Sequence, residues 1–330
     1  MQKGRFAPSP TGRMHLGNIF TAVVSWLSVK SKGGTWVLRH EDLDRQRSRA
    51  EYAAMIEEDL KWFGLEWDEG GLDNHIPEGN DTITSSPYSQ SKRDSFYYDI
   101  LKSICDTGMV YPCFCRRADI MAANAPHQSD GRVIYAGTCR PNKLPDLSRT
   151  LGRLNEMEGP ERWRSLRLAV PDRDIPFDDM ICGPNSFNLA KDCGDFILQR
   201  GDGTWAYQLA VVADDHLMGI SEVIRGNDLL LSTSQQIYLY ELMGWEPPRF
   251  GHLPLLVNKA GQRLSKRDSS LSMARLRERF NPERLLGLLT GITGLAPNTN
   301  PISAAELLKK FSLDNLQCVN NIVINENYFS

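Results

Sequence analysis

The sequence lacks the features of membrane-spanning, fibrous and secreted disulfide-rich proteins. Its longest run without a charged residue, 285–305, contains Pro297 and Pro301 among several Asn, Thr and Ser residues, so it would not span a bilayer. The first ten residues carry positive charge but no apolar segment follows them, so no secretion signal is visible and we expect the cytoplasm. Internal repeats and low-complexity tracts are absent as well, and the composition is that of a globular protein.

The sequence also lacks a large excess of charge of either sign. A formal net charge of −3 excludes a uniformly basic, nucleic-acid-coating protein. The charges are nevertheless segregated: residues 40–81 include 13 acidic and 4 basic side chains, and residues 259–284 include 8 basic and 3 acidic. Solvated surface is the simplest interpretation of both segments, and a contact between the second segment and RNA phosphates is a hypothesis.

Cysteine is present in an odd number, seven, which does not suggest a disulfide framework. We therefore expect reduced thiols, and we interpret Cys105, Cys182, Cys193 and Cys318 as core or incidental residues. The remaining three form the pattern Cys113-Phe-Cys115 followed by Tyr135-Ala-Gly-Thr-Cys139. Three thiolates bind Zn²⁺ well if a fourth ligand completes the tetrahedron. On this pattern alone, a zinc site and reduced structural thiols are equally favoured, and His127 is a possible fourth ligand.

Hydrophobic periodicity predicts an α/β protein. A strand at Gly4–Ala7 precedes a Pro/Gly loop, and apolar residues at helical spacing from Leu16 to Leu27 predict a helix that ends near Gly33. A strand at 35–39 and a helix around 52–63 follow, which favours a parallel sheet with right-handed crossovers. The sequence predicts further strands at 166–170, 196–199, 207–213 and 253–257, a helix at 234–243, and helical structure after Ser272.

Two motifs suggest nucleotide binding. Residues 8–18, with His15, Gly17 and Asn18, join the first strand to the first helix, where backbone N–H groups and the helix dipole favour phosphate. Residues 263–267 form a basic segment whose Lys266 could stabilise negative charge on a triphosphate. Each motif alone is also compatible with an ordinary turn, the first with a capping histidine and the second with an exposed basic loop.

Together the two motifs resemble the signature motifs of class I aminoacyl-tRNA synthetases, in the same form and order. The resemblance is strongest to the glutamyl branch and covers residues 4–268. The segments that carry it are Arg5-Phe-Ala-Pro-Ser-Pro-Thr-Gly12, Leu38-Arg-His-Glu-Asp-Leu-Asp44, Gly194-Asp-Phe-Ile-Leu-Gln-Arg200, Tyr207-Gln-Leu-Ala-Val-Val-Ala-Asp-Asp215 and Val223-Ile-Arg-Gly226. The chain departs from the family at Asn18, where histidine is frequent, and at Arg263 and Arg267, where lysine and serine are usual.

The resemblance implies a site that activates glutamate with ATP, and Mg²⁺ is expected with ATP on chemical grounds. It assigns Arg5 and Arg225 to carboxylate binding, Glu41 to the ammonium group, and the Ser9 and Tyr207 hydroxyls to orientation. His15 and Lys266 are the implied catalytic residues, acting by positioning and charge stabilisation rather than as nucleophiles. The implied ATP-binding residues are His15, Gly17, Asn18, Arg263, Leu264, Ser265, Lys266 and Arg267.

The resemblance also implies the domain organisation and the acceptor. We expect a Rossmann-like catalytic domain at 1–110 and 165–268, an inserted subdomain at 111–164, a helical region at 269–330 and no anticodon-binding domain. Short members of the family with this cysteine pattern hold structural zinc. The residues that match their ligands here are Cys113, Cys115, Tyr135 and Cys139. These short members transfer glutamate to queuosine at the wobble position of tRNA(Asp). The alternatives are a truncated or accessory enzyme acting on tRNA(Glu), a non-catalytic RNA- or nucleotide-binding paralogue, and a small-molecule nucleotidyltransferase.

Overall fold

The computed structural model describes residues 2–72, 88–116, 134–145, 147, 163–264 and 271–329. The strands are β1 (Lys3–Phe6), β2 (Thr35–Leu38), β3 (Glu69–Gly70), β4 (Val110–Cys113), β5 (Ser165–Leu168), β6 (Asp174–Asp179), β7 (Gly183–Asn188), β8 (Phe196–Arg200), β9 (Glu222–Gly226), β10 (Arg249–Leu253), β11 (Leu255–Val257) and β12 (Asn321–Val323). The α-helices are α1 (Leu16–Lys30), α2 (Ala50–Trp62), α3 (Asp94–Asp106), α4 (Tyr207–Leu217), α5 (Leu230–Met243), α6 (Met273–Arg279), α7 (Pro282–Ile292) and α8 (Ala304–Leu308).

A seven-stranded sheet lies at the centre, in the order β3-β2-β1-β9-β10-β6-β7. Its neighbouring strands run parallel except β6 and β7, which are antiparallel. Strand β1 lies between β2 and β9: the chain adds β2 on one side of β1 and later adds β9 on the other side, so the strand order reverses at β1. In parallel sheets such a reversal opens a crevice at the carboxyl ends of the strands, where ligands bind. The α/β fold with a mainly parallel sheet is therefore confirmed.

Helix α1 forms where the apolar periodicity predicts it. His15 precedes it in an extended conformation and caps its first turn, and Leu16, Ile19 and Phe20 are buried on its inner face. The helix ends at Lys30, just before Gly33, which has a φ of +64° that favours glycine.

Hydrophobic clusters cover both faces of the sheet at β2, which explains why residues 36–38 are apolar and buried on both sides. Trp36 and Leu38 of β2 pack with α1 and with the C-terminal helices, whereas Val37 between them packs with α3, α4 and α5. Residues of α7 and α8, including Leu285, Leu289 and Leu307, share the first cluster with α1. The helical prediction for this region is confirmed, with the short strand β12 added. The domain boundaries themselves stay a prediction.

Three predictions for the strands were wrong in whole or in part. Residues 207–213 belong to helix α4, not to a strand, because an uncharged run such as Leu209–Ala213 does not distinguish a buried helix from a buried strand. The strands near 166–170 and 196–199 exist as β5 and β8, but they pair antiparallel with each other in a separate sheet with β4. The strand predicted at 253–257 is split between β10, in the main sheet, and β11, which pairs with β12.

The interpretation of Cys182 and Cys318 as unpartnered thiols was also wrong. The two residues form a disulfide between the turn that joins β6 to β7 and the segment that precedes β12. They are 136 residues apart in the chain, so only tertiary packing brings them together. Among the described residues, Cys105, Cys113, Cys115, Cys139 and Cys193 form no disulfide. In the same part of the chain, no helix is long and apolar enough to cross a membrane.

Candidate active site and cysteine cluster

A cleft of about 400 Å³ lies at the carboxyl ends of β1, β2 and β9, where the strand order reverses. This is the crevice that the topology of a parallel sheet provides for ligands. The cleft brings together most of the predicted site residues that the structure describes. Those that line it are Arg5, Ser9, His15, Asn18, Glu41, Tyr207, Arg225 and Arg263.

Arg5 is held at the inner end of the cleft by Asp215. Its Nε and Nη2 atoms donate to the two Asp215 oxygens at 3.2 and 3.1 Å. Arg39 donates to the same carboxylate from Nη1 at 2.7 Å and to Glu41 Oε1 from Nη2 at 3.2 Å. All four side chains are nearly or fully buried. The inner charge cluster of the cleft therefore consists of Arg5, Arg39, Asp215 and Glu41.

Burial and neighbouring charge act differently on the two carboxyl groups of this cluster. Burial favours a raised pKa for Asp215, but Arg5 and Arg39 outweigh it and keep that pKa below its usual value. For Glu41 burial is stronger than the attraction of Arg39 and Arg5, so its pKa is raised. Asp215 is therefore the fixed counter-ion of the two arginines, and Glu41 is a carboxylate that a ligand cation would stabilise.

Arg225, near the carboxyl end of β9, also lines the cleft. It is buried, and its guanidinium donates from Nη1 to Gln236 Oε1, from Nη2 to Thr233 Oγ1 and from Nε to His252 Nε2, at 2.8, 2.8 and 3.0 Å. Desolvation lowers the pKa of Arg225, an effect that the nearby Tyr207 opposes. The described structure gives this arginine no carboxylate within hydrogen-bonding distance, so a ligand carboxylate can become its counter-ion.

The first motif caps helix α1 through His15 and Asn18, and it also places His15 in the cleft. His15 Nδ1 accepts the Gly17 N–H at 3.1 Å, and Asn18 Oδ1 accepts the His15 N–H at 3.2 Å. A neutral imidazole that accepts at Nδ1 carries its proton on Nε2, so His15 lines the cleft as a potential donor. A Cβ atom on Gly17 would lie only 3.1 Å from the His15 ring, so glycine leaves room for the cap. Gly17 itself does not line the cleft.

The second motif is described only at its beginning. Arg263 lines the cleft, is half-exposed and forms an ion pair with Asp228. Leu264 is buried in the hydrophobic core and donates its N–H to Leu256 O at 3.0 Å, so it anchors the segment and does not line the cleft. The predictions for Ser265, Lys266 and Arg267 lie outside the described residues, as does the alternative ligand His127.

Sequence reasoning did not assign roles to several residues that shape the cleft. Arg39 and Asp215 lie within quoted motifs, and the doubled acid at 214–215 was the signal that could have pointed to a buried counter-ion. Asp214 accepts from Arg93 Nε at 2.6 Å and also lies 3.8 Å from Arg39 Nε. His252 and Thr233 were not marked by any motif. The pairing of β10 with β9 places His252 beside Arg225, and the packing of α5 brings Thr233 to it.

The cysteine cluster lies apart, next to β4. The Sγ atoms of Cys113, Cys115 and Cys139 all lie within 4.8 Å of one another. Tyr135 Oη completes the group: it lies 3.4 Å from Cys113 Sγ and 3.7 Å from Cys115 Sγ, and it accepts the Cys139 N–H at 2.7 Å. Burial acts to raise the pKa of Cys113, but hydrogen bonds from Tyr135 and Arg167 lower it to about 7. Three sulfurs and a phenolic oxygen at these separations fit a tetrahedral metal ion.

Comparison with known proteins identifies the family. Residues 2–326 match the family model described as "tRNA synthetases class I (E and Q), catalytic domain". A protein of Symbiobacterium thermophilum named "Glutamyl-Q tRNA(Asp) synthetase" is 45% identical over 314 residues, which cover 94% of this chain and 92% of that protein. "Glutamate--tRNA ligase 2" of Syntrophus aciditrophicus is 40% identical over 313 residues, covering 94% of this chain and 61% of that protein.

A solved structure agrees with these relatives. The crystal structure of a glutamate tRNA ligase from Elizabethkingia meningosepticum in complex with its amino acid superimposes with a TM-score of 0.78 at 29% identity. The match covers 99% of this chain and 68% of that one. The chain therefore belongs to the class I tRNA synthetases of the E and Q group, and the predictions of this family and of a ligase are confirmed.

Proposed function

We propose that the protein activates glutamate with ATP and transfers it to queuosine at the wobble position of tRNA(Asp). One observation carries the amino-acid part of this proposal. At the inner end of the cleft, Arg5, Arg39 and Arg225 face Glu41 and Asp215. Asp214 lies 3.8 Å from Arg39 Nε but pairs more closely with Arg93, at 2.6 Å, so it is counted with Arg93. Glutamate, with two carboxylates and one ammonium group, carries the single negative charge that balances this set.

Each side chain has a role that its geometry supports. Arg225 binds one glutamate carboxylate with the N–H groups that its protein partners leave over, and Glu41 accepts the ammonium group. Asp215 occupies Nε and Nη2 of Arg5, so Arg5 offers a ligand its Nη1 atom rather than its full fork. The hydroxyl groups of Ser9 and Tyr207 orient the substrate in the cleft.

The chemistry needs no covalent intermediate with the enzyme. The α-carboxylate oxygen of glutamate attacks the α-phosphorus of ATP, and the bond to pyrophosphate breaks, which leaves glutamyl-adenylate. A hydroxyl of the queuosine cyclopentene ring then attacks the activated carbonyl, and AMP leaves. His15 Nε2–H and the N-terminus of α1 are suited to phosphate, and Lys266 is proposed to stabilise the leaving pyrophosphate. Mg²⁺ bound to ATP would supply further charge neutralisation.

We propose structural Zn²⁺ on Cys113, Cys115, Tyr135 and Cys139. A soft trio of thiolates favours this ion, and four protein ligands leave no open position for catalysis. Against the effect of burial, hydrogen bonds from Tyr135 and Arg167 lower the pKa of Cys113 to about 7, whereas burial and the neighbouring Cys139 raise the pKa of Cys115 to about 11, so metal binding would release the proton of Cys115.

The names of the relatives support tRNA(Asp) as the acceptor, and two of the matches support tRNA(Glu) as a second candidate. The relative with 45% identity is named for tRNA(Asp), which favours queuosine in the anticodon arm as the site of transfer. The 40% relative and the superimposed crystal structure are glutamate–tRNA ligases, which favours the 3′ end of tRNA(Glu) as the second candidate.

Two measurements on one preparation test the proposal. Glutamate-dependent exchange of pyrophosphate into ATP, without tRNA, tests activation, and labelled glutamate is then offered to three RNAs: tRNA(Asp) with queuosine, tRNA(Asp) without it, and tRNA(Glu). We expect exchange without RNA and transfer only to the first RNA. Transfer to tRNA(Glu), or exchange that requires it, would establish the second candidate, and no exchange under any condition would refute an enzyme.

A matched pair of arginine variants tests the site itself. Arg225→Met should abolish glutamate-dependent exchange, because it removes the buried cation that faces the substrate. Arg249→Met is the control: Arg249 lies on the neighbouring strand β10, is exposed and pairs with Glu222 outside the cleft. Equal loss of exchange in both variants would mean that Arg225 does not bind glutamate.

A further inference from the structure

His252 lies directly behind Arg225 in the sheet. It belongs to β10, and its register partner on the parallel strand β9 is Arg225. The imidazole is fully buried, and its ring stacks on Phe250 at a centroid distance of 6.4 Å. It does not line the cleft.

The partners of the ring determine where its proton lies. His252 Nδ1 is 2.5 Å from Asp179 Oδ2, and Asp179 Oδ1 accepts the N–H groups of Ile181, Cys182 and His252 at 3.0, 2.8 and 3.2 Å. On the other side, His252 Nε2 is 3.0 Å from Arg225 Nε, which always carries a hydrogen. Nε2 must therefore accept, so the ring is neutral and its single proton is on Nδ1, donated to Asp179.

This arrangement fixes the plane of the Arg225 guanidinium. The Nε–H bond points at His252, Nη1 donates to Gln236 Oε1, and Nη2 donates to Thr233 Oγ1 and, at 3.5 Å, to Leu229 O. Thr233 Oγ1 is itself 3.1 Å from His252 Nε2, so the imidazole also contacts one of these acceptors. The planar fork of arginine binds a carboxylate well only when its plane has the right orientation. Loss of the His252 acceptor would leave that orientation to Gln236, to Thr233, which would lose its own contact with the ring, and to the long bond to Leu229 O.

We propose that His252, held as a neutral acceptor by Asp179, is a positioning residue that orients Arg225 and thereby determines how tightly the protein binds its amino-acid substrate. This inference rests on the proposed function, because it takes the ligand of Arg225 to be a carboxylate of glutamate. His252 does not touch that ligand and acts only through Arg225.

The same arrangement links substrate binding to pH. The charged groups that face His252 are Asp179 at the end of β6, Arg225 on β9 and, after β9, Asp228. A protonated ring would direct an N–H group and a positive charge at Arg225, so protonation would weaken glutamate binding. Burial lowers the pKa of His252 against the opposing effect of Asp179, so this weakening is expected on the acid side of about pH 6.5.

The experiment compares His252→Phe with His252→Gln in the glutamate-dependent exchange assay. Phenylalanine keeps the ring shape but cannot accept from Arg225, and we expect the KM for glutamate to rise about 10- to 100-fold. The KM for ATP should change by less than about threefold, since His252 lies outside the cleft. Glutamine can offer its Oε1 to Arg225 and should restore most of the affinity for glutamate, without the loss at acid pH.

His216→Phe is the matched control for the substitution. His216 is an exposed residue of α4 that stacks on Trp245, so its replacement should leave both KM values unchanged. An unchanged KM for glutamate in a folded His252→Phe variant would overturn the inference, as would an equal rise in the KM for ATP. If the wild-type protein shows no exchange, the proposed function fails first, and the two failures can be told apart.

A measurement on the unaltered protein covers the case in which the phenylalanine variant does not fold. Nitrogen-15 NMR of the histidine side chains distinguishes the Nδ1–H tautomer from the Nε2–H tautomer and from the charged ring. At pH 7 we expect a histidine with a protonated Nδ1 and an unprotonated Nε2, absent from the spectrum of His252→Gln. A protonated Nε2 would contradict the arrangement, whatever the activity.

Discussion

Replacing Asp215 with asparagine should destabilise the ligand-free protein more than the same kind of replacement at a surface carboxylate. Asp215 accepts three hydrogen bonds from two buried arginines: two from Arg5, at 3.2 and 3.1 Å, and one from Arg39 at 2.7 Å. An asparagine of the same size offers one oxygen and no charge. Its oxygen at the Oδ1 position can still accept from Arg5 Nε and Arg39 Nη1, but its NH₂ group would face Arg5 Nη2, and both guanidinium groups lose their shared counter-ion.

The size of the effect follows from these contacts. Removing one partner of a buried ion pair costs about 3–5 kcal/mol, because the remaining charge stays desolvated. Glu41 can compensate in part, since it already contacts Arg39 at 3.2 Å, but it does not contact Arg5 within hydrogen-bonding distance. We therefore expect the free energy of unfolding to fall by about 3 kcal/mol.

Urea unfolding followed by circular dichroism measures this difference, with Glu241→Gln as the control. Glu241 forms an exposed pair with Arg173, and its loss should cost less than about 1 kcal/mol. The pKa of Asp215 is held below its unfolded value, so its contribution is present above about pH 4 and is lost as the pH falls through the folded pKa. An Asp215→Asn variant as stable as the control at pH 7 would refute the reasoning.

Three further substitutions test Glu41, the disulfide and the cysteine cluster. Glu41→Gln should raise the thermal midpoint of the ligand-free protein and abolish glutamate-dependent exchange. The raised pKa of Glu41 means that its negative charge opposes folding, so the increase in thermal midpoint should vanish below about pH 4, where the carboxyl group is neutral in both states. Cys182→Ser should lower the free energy of unfolding by about 2–4 kcal/mol without reductant and change it little with dithiothreitol. If the variant remained less stable than the wild-type protein in dithiothreitol, the result would contradict the disulfide. Cys139→Ser should reduce bound zinc, measured by atomic absorption, whereas the control Cys193→Ser should retain it; equal zinc in both would exclude the cluster as the site.

Local signals predicted the parts of the fold that depend on neighbours in the chain. Helix α1 and strand β2 lie where periodicity placed them, because their burial pattern repeats within one element. The prediction failed for α4, since its first seven residues are uncharged and several of them are buried, which fits either element. The sheet membership of β5 and β8 could not be read from the sequence either, because both alternatives bury the same apolar residues.

The candidate site divides in the same way. The motif residues Arg5, Glu41, Tyr207 and Arg225 were identified by resemblance, and the fold brings them to one cleft. Asp179, Thr233 and His252, which orient Arg225, come from three elements far apart in the chain. No spacing rule connects them, because their contact is created by the order of the strands.

The amino-acid sequence by itself determined the chemistry available to this protein. Its motifs specify an α/β synthetase with paired arginines, an acidic partner and a cluster of three thiols, because these residue types are required wherever the chain places them. Only the tertiary structure decided which groups are already engaged: Asp215 binds Arg5, His252 accepts from Arg225, and Cys182 is joined to Cys318. The physical reason is that charge and hydrogen-bonding capacity belong to each residue, whereas desolvation and the choice of partner arise from packing between distant segments.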